Sequence, residues 1–312
     1  MHCLNEWLKD DAKRKINISI QIYRYTDIKI KISYQRGLGY YLYICICVYL
    51  YIIGGVKMAE TIALISRKGG SGKTTTAQII SAGFTSQGAK VLCIDLDGQA
   101  SLTHIMGADP TGKNIIDVFT NKGNITDAIQ HTQTGDIIAA NTGLDLADMR
   151  LTGQGRELLL KQALESVKRD YNLILLDTVG AFGVLTLNAL AVANSVILPA
   201  QADILSLNAL KDSYDLIQSA RENVNTGLKI YGVLLTRFNS RANISRDLLA
   251  MFEQAAQVMN TRVFNSKIRD SVAVKEAQAM QTDLLKHKPK NNAAQDYSAF
   301  IAELDGIIKA EA

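Results

Sequence analysis

Residues 66–76 read Ser66-Arg67-Lys68-Gly69-Gly70-Ser71-Gly72-Lys73-Thr74-Thr75-Thr76, a stretch that gathers three glycines, two lysines and five hydroxyls. Glycines at that density let successive backbone N–H groups turn toward one anion. A lysine followed by threonine then adds a point charge and a metal-ligating hydroxyl. This is chemistry for the phosphates of a nucleotide. Lys73 would stand between the β- and γ-phosphates, where charge builds during transfer, and Thr74 would complete the shell of Mg²⁺. The usual G-x-x-x-x-G-K-T spacing opens with a glycine; Arg67 occupies that position here.

Two further segments supply carboxylates. Val91-Leu92-Cys93-Ile94-Asp95-Leu96-Asp97 and Leu173-Ile174-Leu175-Leu176-Asp177 are apolar runs that end in aspartate. An aspartate at the end of a buried strand beside such a loop can hold Mg²⁺ through water or order the attacking water. Asp177 follows four apolar residues, the pattern of a metal-holding Walker B strand.

The elements that must carry these groups are legible around them. Thr61 to Ser66 reads as a buried strand, and a helix follows from Thr74 to about Ser86, stopped by Gly88. Strand, glycine-rich loop and helix is the context a P-loop requires. Strands at 91–96, 137–141, 173–177, 196–199, 232–237 and 263–264 alternate with helical patterns. Short helices are expected at 115–118 and 127–129, and another around Lys275-Glu276-Ala277. The expected fold is therefore α/β, a P-loop NTPase with a mostly parallel twisted sheet covered by helices on both faces, as one domain over 58–312. Right-handed crossovers bring the loop and the strand-end carboxylates to one edge of that sheet.

Lys68-Gly69-Gly70-x-Gly72-Lys73-Thr74-Thr75 resembles the deviant Walker A box of the ParA/MinD superfamily, and the resemblance extends over nearly all of Met58–Ala312. It implies that Lys68 is the signature lysine that reaches the phosphates bound by a partner subunit. Asp95-Leu96-Asp97-Gly98-Gln99 is similar to the family's D-x-D-P-Q motif. By that resemblance Asp97 orients the attacking water, and Asp95 supports Mg²⁺ or the loop. The nucleotide contacts implied are Lys68, Gly69, Gly70, Ser71, Gly72, Lys73, Thr74 and Thr75, with Thr236 and Arg237 near the base. The metal contacts are Thr74, Asp95 and Asp177. Two departures stand out: Gly98 where proline is usual, and Val179-Gly180 where the family has prolines after Asp177. The implied protein is a partition ATPase using ATP and Mg²⁺. Its homodimer would close on ATP, bind DNA without sequence preference and answer to a ParB-like partner.

Composition limits the alternatives. The net charge of +4 is unevenly spread: residues 1–57 carry nine basic and four acidic side chains, and residues 58–220 carry 12 and 16. Residues 221–290 carry 12 and 6, and residues 291–312 carry one and four. A face for DNA phosphates is thus expected late in the fold, with Arg237, Arg241, Arg246, Arg262, Lys267, Arg269 and Lys275 as candidates. The acidic end, 297–305, reads as a helix packed on the core, whereas a MinD-like membrane-cycling ATPase needs a basic amphipathic one. A bacterial tyrosine kinase needs a tyrosine cluster near the end; here Tyr297 stands alone. Cys93 is the one cysteine beyond residue 57, too few for an iron–sulfur reductase. A reducing cytoplasm is expected, with the protein associated with the nucleoid.

Residues 1–57 read differently from the rest. They are rich in Ile, Tyr, Lys and Asn, the residues that AT-rich DNA encodes. Gly54-Gly55-Val56-Lys57 before Met58 can be encoded by a ribosome-binding sequence and spacer. The expectation is a translated upstream extension with the natural start at Met58. The alternative is a membrane anchor at 38–56, an uncharged stretch as long as a spanning helix of about 20 residues.

Overall fold

Runs of four or five apolar residues, too short to bury one face of a helix, become the strands of a single sheet. In the computed structural model, residues 17–21, 29–33, 59–120, 123–239 and 243–311 are described, with backbone alone at 17–21, 29–33 and 243–246. The chain divides into two compact units, Met1–Lys57 and Met58–Ala312. In the first, β1 (Asn17–Gln21) and β2 (Lys29–Ser33) pair antiparallel, Asn17 opposite Ser33. The proposed anchor at 38–56 lies outside the described residues. Among those described, no helix is long and apolar enough to cross a membrane.

The second unit is built on seven strands: β3 (Glu60–Leu64), β4 (Val91–Leu96), β5 (Ile129–Thr132), β6 (Gly135–Ile138), β7 (Leu173–Thr178), β8 (Ser195–Gln201) and β9 (Lys229–Thr236). Their order is β5-β6-β4-β7-β3-β8-β9. Every pairing is parallel except the β5–β6 hairpin at one edge. Strands β4 and β7 are buried along their whole length, which explains their unbroken apolar character: both faces of the sheet are covered.

The helices are α1 (Lys73–Ser86), α2 (Ser101–Ile105), α3 (Ile115–Phe119), α4 (Ala147–Arg150), α5 (Leu159–Leu164), α6 (Val184–Val192) and α7 (Ile204–Asn223). They continue with α8 (Asn243–Val258), α9 (Val272–Ala279), α10 (Leu284–His287) and α11 (Asn292–Glu311). One layer gathers α1, α2, α10 and α11; the other gathers α5, α6 and α7. The crossovers from β3 to β4 and from β7 to β8 run in opposite directions along the sheet, and right-handed connections put α1 and α6 on opposite faces. This is the three-layer arrangement expected from the sequence.

Two local expectations change. Ile129 begins an edge strand, because Gln133-Thr134 turns the chain into a hairpin; only Ile125–Ala128 is helical, as a 3-10 turn. Val263 and Phe264 do not extend into a strand. Val263 makes one bridge to Val233, and Arg262 and Phe264 exchange backbone hydrogen bonds with Val233. The end of the chain packs as expected: Tyr297, Phe300, Ile301 and Leu304 of α11 are buried.

Candidate nucleotide-binding site

The loop between β3 and α1 is shaped from behind. Gly70 and Gly72 have φ of 73° and 97°, the left-handed region that glycine enters without strain. Gly72 is doubly constrained, since a Cβ there would come within 3.2 Å of Thr236 Cγ2. The ends of β8 and β9 hold the loop's carbonyls. Gln201 Nε2 donates to Gly70 O at 2.7 Å, and Thr236 Oγ1 donates to Ser71 O at 2.8 Å. With those carbonyls engaged, the N–H groups of the loop and of the first turn of α1 remain for an anion. Lys73, the first residue of α1, is nearly buried and donates to Ser66 O at 3.3 Å. Burial lowers its pKa, opposed by the carboxylates of Asp177 and Asp97.

Asp95 and Asp177 face each other in register on β4 and β7, both with no solvent exposure. Asp95 is fully engaged: it accepts from Asp97 N at 3.1 Å, Thr103 N at 2.9 Å and Thr103 Oγ1 at 2.8 Å. Neither oxygen of Asp177 has a hydrogen-bond partner. The Thr74 hydroxyl comes near enough to favour its charged form, short of an ordinary hydrogen bond. Burial first, then the neighbouring Asp95, push the Asp177 carboxyl well above the usual carboxylate range. Burial raises Asp95 as well, less far because Thr103 and Asp97 donate to it. These bonds tie Asp95 to the turn after β4 that carries Asp97, and not to the phosphate loop. Asp97 follows on the turn and accepts from Gln99 N at 3.0 Å.

Lys68 and Arg67 turn toward α7. Lys68 Nζ donates to Asp203 Oδ2 at 2.5 Å and to Ser206 Oγ at 3.2 Å. Asp203 is the N-cap of α7 and accepts from Ser206 N at 2.8 Å. Burial would raise the Asp203 carboxyl, but Lys68 and Ser206 outweigh it and hold it below the ordinary range. Arg67 lies over the Phe182 ring at 5.1 Å and pairs with Asp212 at 2.9 Å. This gives an explanation for a charged residue where P-loops usually carry glycine.

The phosphate loop and Asp97 border one cleft of about 500 Å³, lined by Gly69 to Thr75, Asp97 and Gln99 at one end. Arg237, Ile268, Arg269, Lys275 and Gln278 line the other. A family model described as an AAA domain matches residues 59–230. The sporulation initiation inhibitor protein Soj of Bacillus subtilis is 30% identical over 245 residues, spanning 77% of this chain and 96% of Soj. The chromosome-partitioning ATPase Soj of Treponema pallidum is 29% identical over 250 residues, 79% and 97% of the two chains. The chain belongs to the ParA/MinD superfamily of partition ATPases. Among solved structures, a cobyrinic acid a,c-diamide synthase from Mycobacterium smegmatis with bound ADP and magnesium is 30% identical. It has a TM-score of 0.71 and covers 82% of this chain and 97% of that one. MinD of Pyrococcus horikoshii, complexed with Mg-ADP, shares the fold with a TM-score of 0.65 at 24% identity, over 82% and 99%.

Two departures from the ParA/MinD pattern have a steric setting. A Cβ on Gly98 would fall 2.0 Å from Asp145 Oδ1, so proline cannot stand there unless Asp145 moves. Gly180 lies against the loop, where a Cβ would meet Arg67 O at 3.3 Å.

Thr236 lines the cleft, and its hydroxyl serves the phosphate loop, bonding Ser71 O and, more weakly, Ala200 O. Arg237 is exposed on the cleft in the left-handed region, with φ of 50°. The basic residues nominated for DNA are scattered. Arg269 is forked on Asp296, with Nε and Nη2 donating at 2.8 and 2.7 Å, so it is tied to α11 and not free. Lys275 borders the cleft, Lys267 donates to Asn265 O, and Arg262 stands exposed beside the middle of β9. Arg241 and the side chain of Arg246 lie outside the described residues.

Sequence reasoning missed the residues that distant elements deliver. Gln278 Nε2 donates to Thr75 Oγ1 at 2.8 Å, and Tyr297 shares a hydrogen bond with Thr76 at 3.2 Å. Thr103, Gln201 and Ser206 carry no signal of their own. Asp203, a helix-capping residue just before an apolar helical pattern, was readable as a cap but not as a partner for Lys68.

Proposed function

We propose that this chain binds ATP and Mg²⁺ in the cleft and hydrolyses ATP as a ParA-type partition ATPase. The observation that carries the reading is the pair of orphaned Asp177 oxygens, buried beside Thr74 and Lys73, with the buried Ser71 hydroxyl also unpartnered. Buried polar groups without partners are rare, and a cation and phosphate at this place satisfy them. Thr74 and, through water, Asp177 would hold Mg²⁺; Asp95 supports them through the turn that carries Asp97. When bound, Mg²⁺ neutralises charge on the β- and γ-phosphates. Lys73 draws the phosphates to the head of α1, and Asp97 orients water toward them.

Lys68 supports a dimer closed by ATP. It belongs to the phosphate loop yet its ammonium turns away onto Asp203 and Ser206, a pair it would exchange for a partner's nucleotide. The dimer would ride on DNA without sequence preference, in the cytoplasm and over the nucleoid, and a ParB-like partner would trigger hydrolysis and release. The buried face of α11 weighs against a MinD-like membrane cycle, because that helix is packed into the core and not free to lie on lipid.

Binding of the full chain to duplex DNA of random sequence, with ATP or ADP and across a salt series, tests the proposal beside Lys68→Ala. Binding that needs both ATP and Lys68 and weakens steeply with salt supports it. ATP hydrolysis with no DNA binding at low salt would overturn the partition reading.

A further inference from the structure

Five of the twelve basic side chains of residues 221–290 are tied to other groups or border the cleft. Arg221 donates to Leu228 O, Lys229 pairs with Glu311, Arg269 is forked on Asp296, and Arg237 and Lys275 border the cleft. What remains together is a strip at the end of α10, Lys286-His287-Lys288-Pro289-Lys290. Lys286 and Lys290 are exposed and meet no acidic partner among the described residues. Lys288 is exposed and leans on Glu276 of α9. The nearby acids are otherwise occupied. Asp283 is buried and caps α10, accepting from Leu285 N at 2.8 Å, and Asp296 holds Arg269. Positive charge is therefore left unneutralised on a short segment.

The segment is also firmly mounted. α10 packs against α1 and α11. On its far side Asn291 Oδ1 accepts from Ser271 Oγ at 3.0 Å and from Ala293 N at 2.9 Å. Ser271 lines the nucleotide cleft, and α9, between the two, reaches the head of α1 through Gln278 and Thr75. The strip thus shares its supports with the cleft.

We propose that Lys286, Lys288 and Lys290 form a phosphate-backbone contact on the DNA-binding face, mounted on elements that feel nucleotide in the cleft. The proposal rests on the partition reading and assigns it a surface different from the residues nominated by sequence. Contacts from lysine ammoniums to phosphate oxygens carry no sequence information, which suits binding without sequence preference. A lipid surface is the poorer fit, since no large apolar side chain is exposed between residues 284 and 290.

Fluorescence anisotropy of a labelled random-sequence duplex, titrated with the full chain and ATP across a salt series, tests this against Lys286→Ala/Lys290→Ala. The double variant should bind roughly tenfold more weakly at low salt. Its slope of log affinity against log salt should be shallower by about two, the counterions of two lost contacts. DNA-free ATP hydrolysis and the thermal midpoint should be unchanged. Equal affinity and slope for the two proteins would overturn the strip while leaving the partition reading in place. A wild-type chain that ignores duplex at low salt would remove both. Phosphatidylglycerol vesicles are the third arm: vesicle binding by the wild type that the variant loses, with DNA binding intact, would overturn the DNA assignment in favour of lipid.

Discussion

Asp95 and Asp177 stand opposite each other on adjacent strands, equally buried, in surroundings that could hardly differ more. The Asp95 end of β4 is closed: three donors converge on its carboxylate, and Thr103 Oγ1 passes the network on by accepting from Ala140 N at 2.9 Å. The Asp177 end of β7 is open, with two oxygens unmatched beside a lysine and a threonine. Burial alone does not separate a structural carboxylate from a ligand-binding one. Satisfaction of its lone pairs does.

The largest effect that tests this difference is on turnover. Asp177→Asn should lower Mg²⁺-dependent ATP hydrolysis by about a hundredfold, measured by phosphate release. Chelation of Mg²⁺ should reduce the wild type to the same level. Undiminished turnover in the variant would erase the functional half of the contrast.

Stability should move the other way at the closed end. Asp95→Ala strands the N–H groups of Asp97 and Thr103 in the interior and should cost about 2–3 kcal/mol in chemical denaturation without nucleotide. Asp177→Asn, under the same conditions, should raise stability by about 1 kcal/mol, because it removes a buried charge that has no hydrogen-bond partner.

That gain has a pH signature. A carboxyl whose native pKa is raised binds its proton more tightly folded than unfolded. Its contribution is therefore best at acid pH and is lost as pH climbs from the unfolded value of about 4 through the raised native one. The advantage of Asp177→Asn over the wild type should widen across that window, read from denaturation midpoints at a series of pH values. A constant difference would show that Asp177 keeps its charge at no cost.

The smallest effect concerns a charge already matched. Arg269→Ala should cost at most about 1 kcal/mol, since the pair with Asp296 is partly exposed, and should leave DNA affinity within about twofold. A large loss of DNA binding would return Arg269 to the interface.

Much of this arrangement was legible in the sequence because its signals are local. Strand, glycine loop and helix sit within some thirty residues, and Asp177 closes an apolar run of strand length. What could not be read is what crossovers bring in from afar. Gln201 and Thr236 brace the loop from residues more than a hundred positions away, and Asp203 receives Lys68. The charge of 221–290 was countable, but its partners were not: Asp296 claims Arg269 across α9 and α10. Ile129 misled because an edge strand of four residues resembles the end of a short helix in composition.

Gly83 lies in the middle of α1, where glycine costs about 1 kcal/mol against alanine, and a Cβ there would fall 2.3 Å from Ile301 Cδ1. A bulkier residue would act as a wedge between α1 and α11, and α11 bears Tyr297, which touches both Thr76 and the cleft. Gly83→Val would thus press on the α1–α11 seam from behind while leaving every residue of the phosphate loop in place.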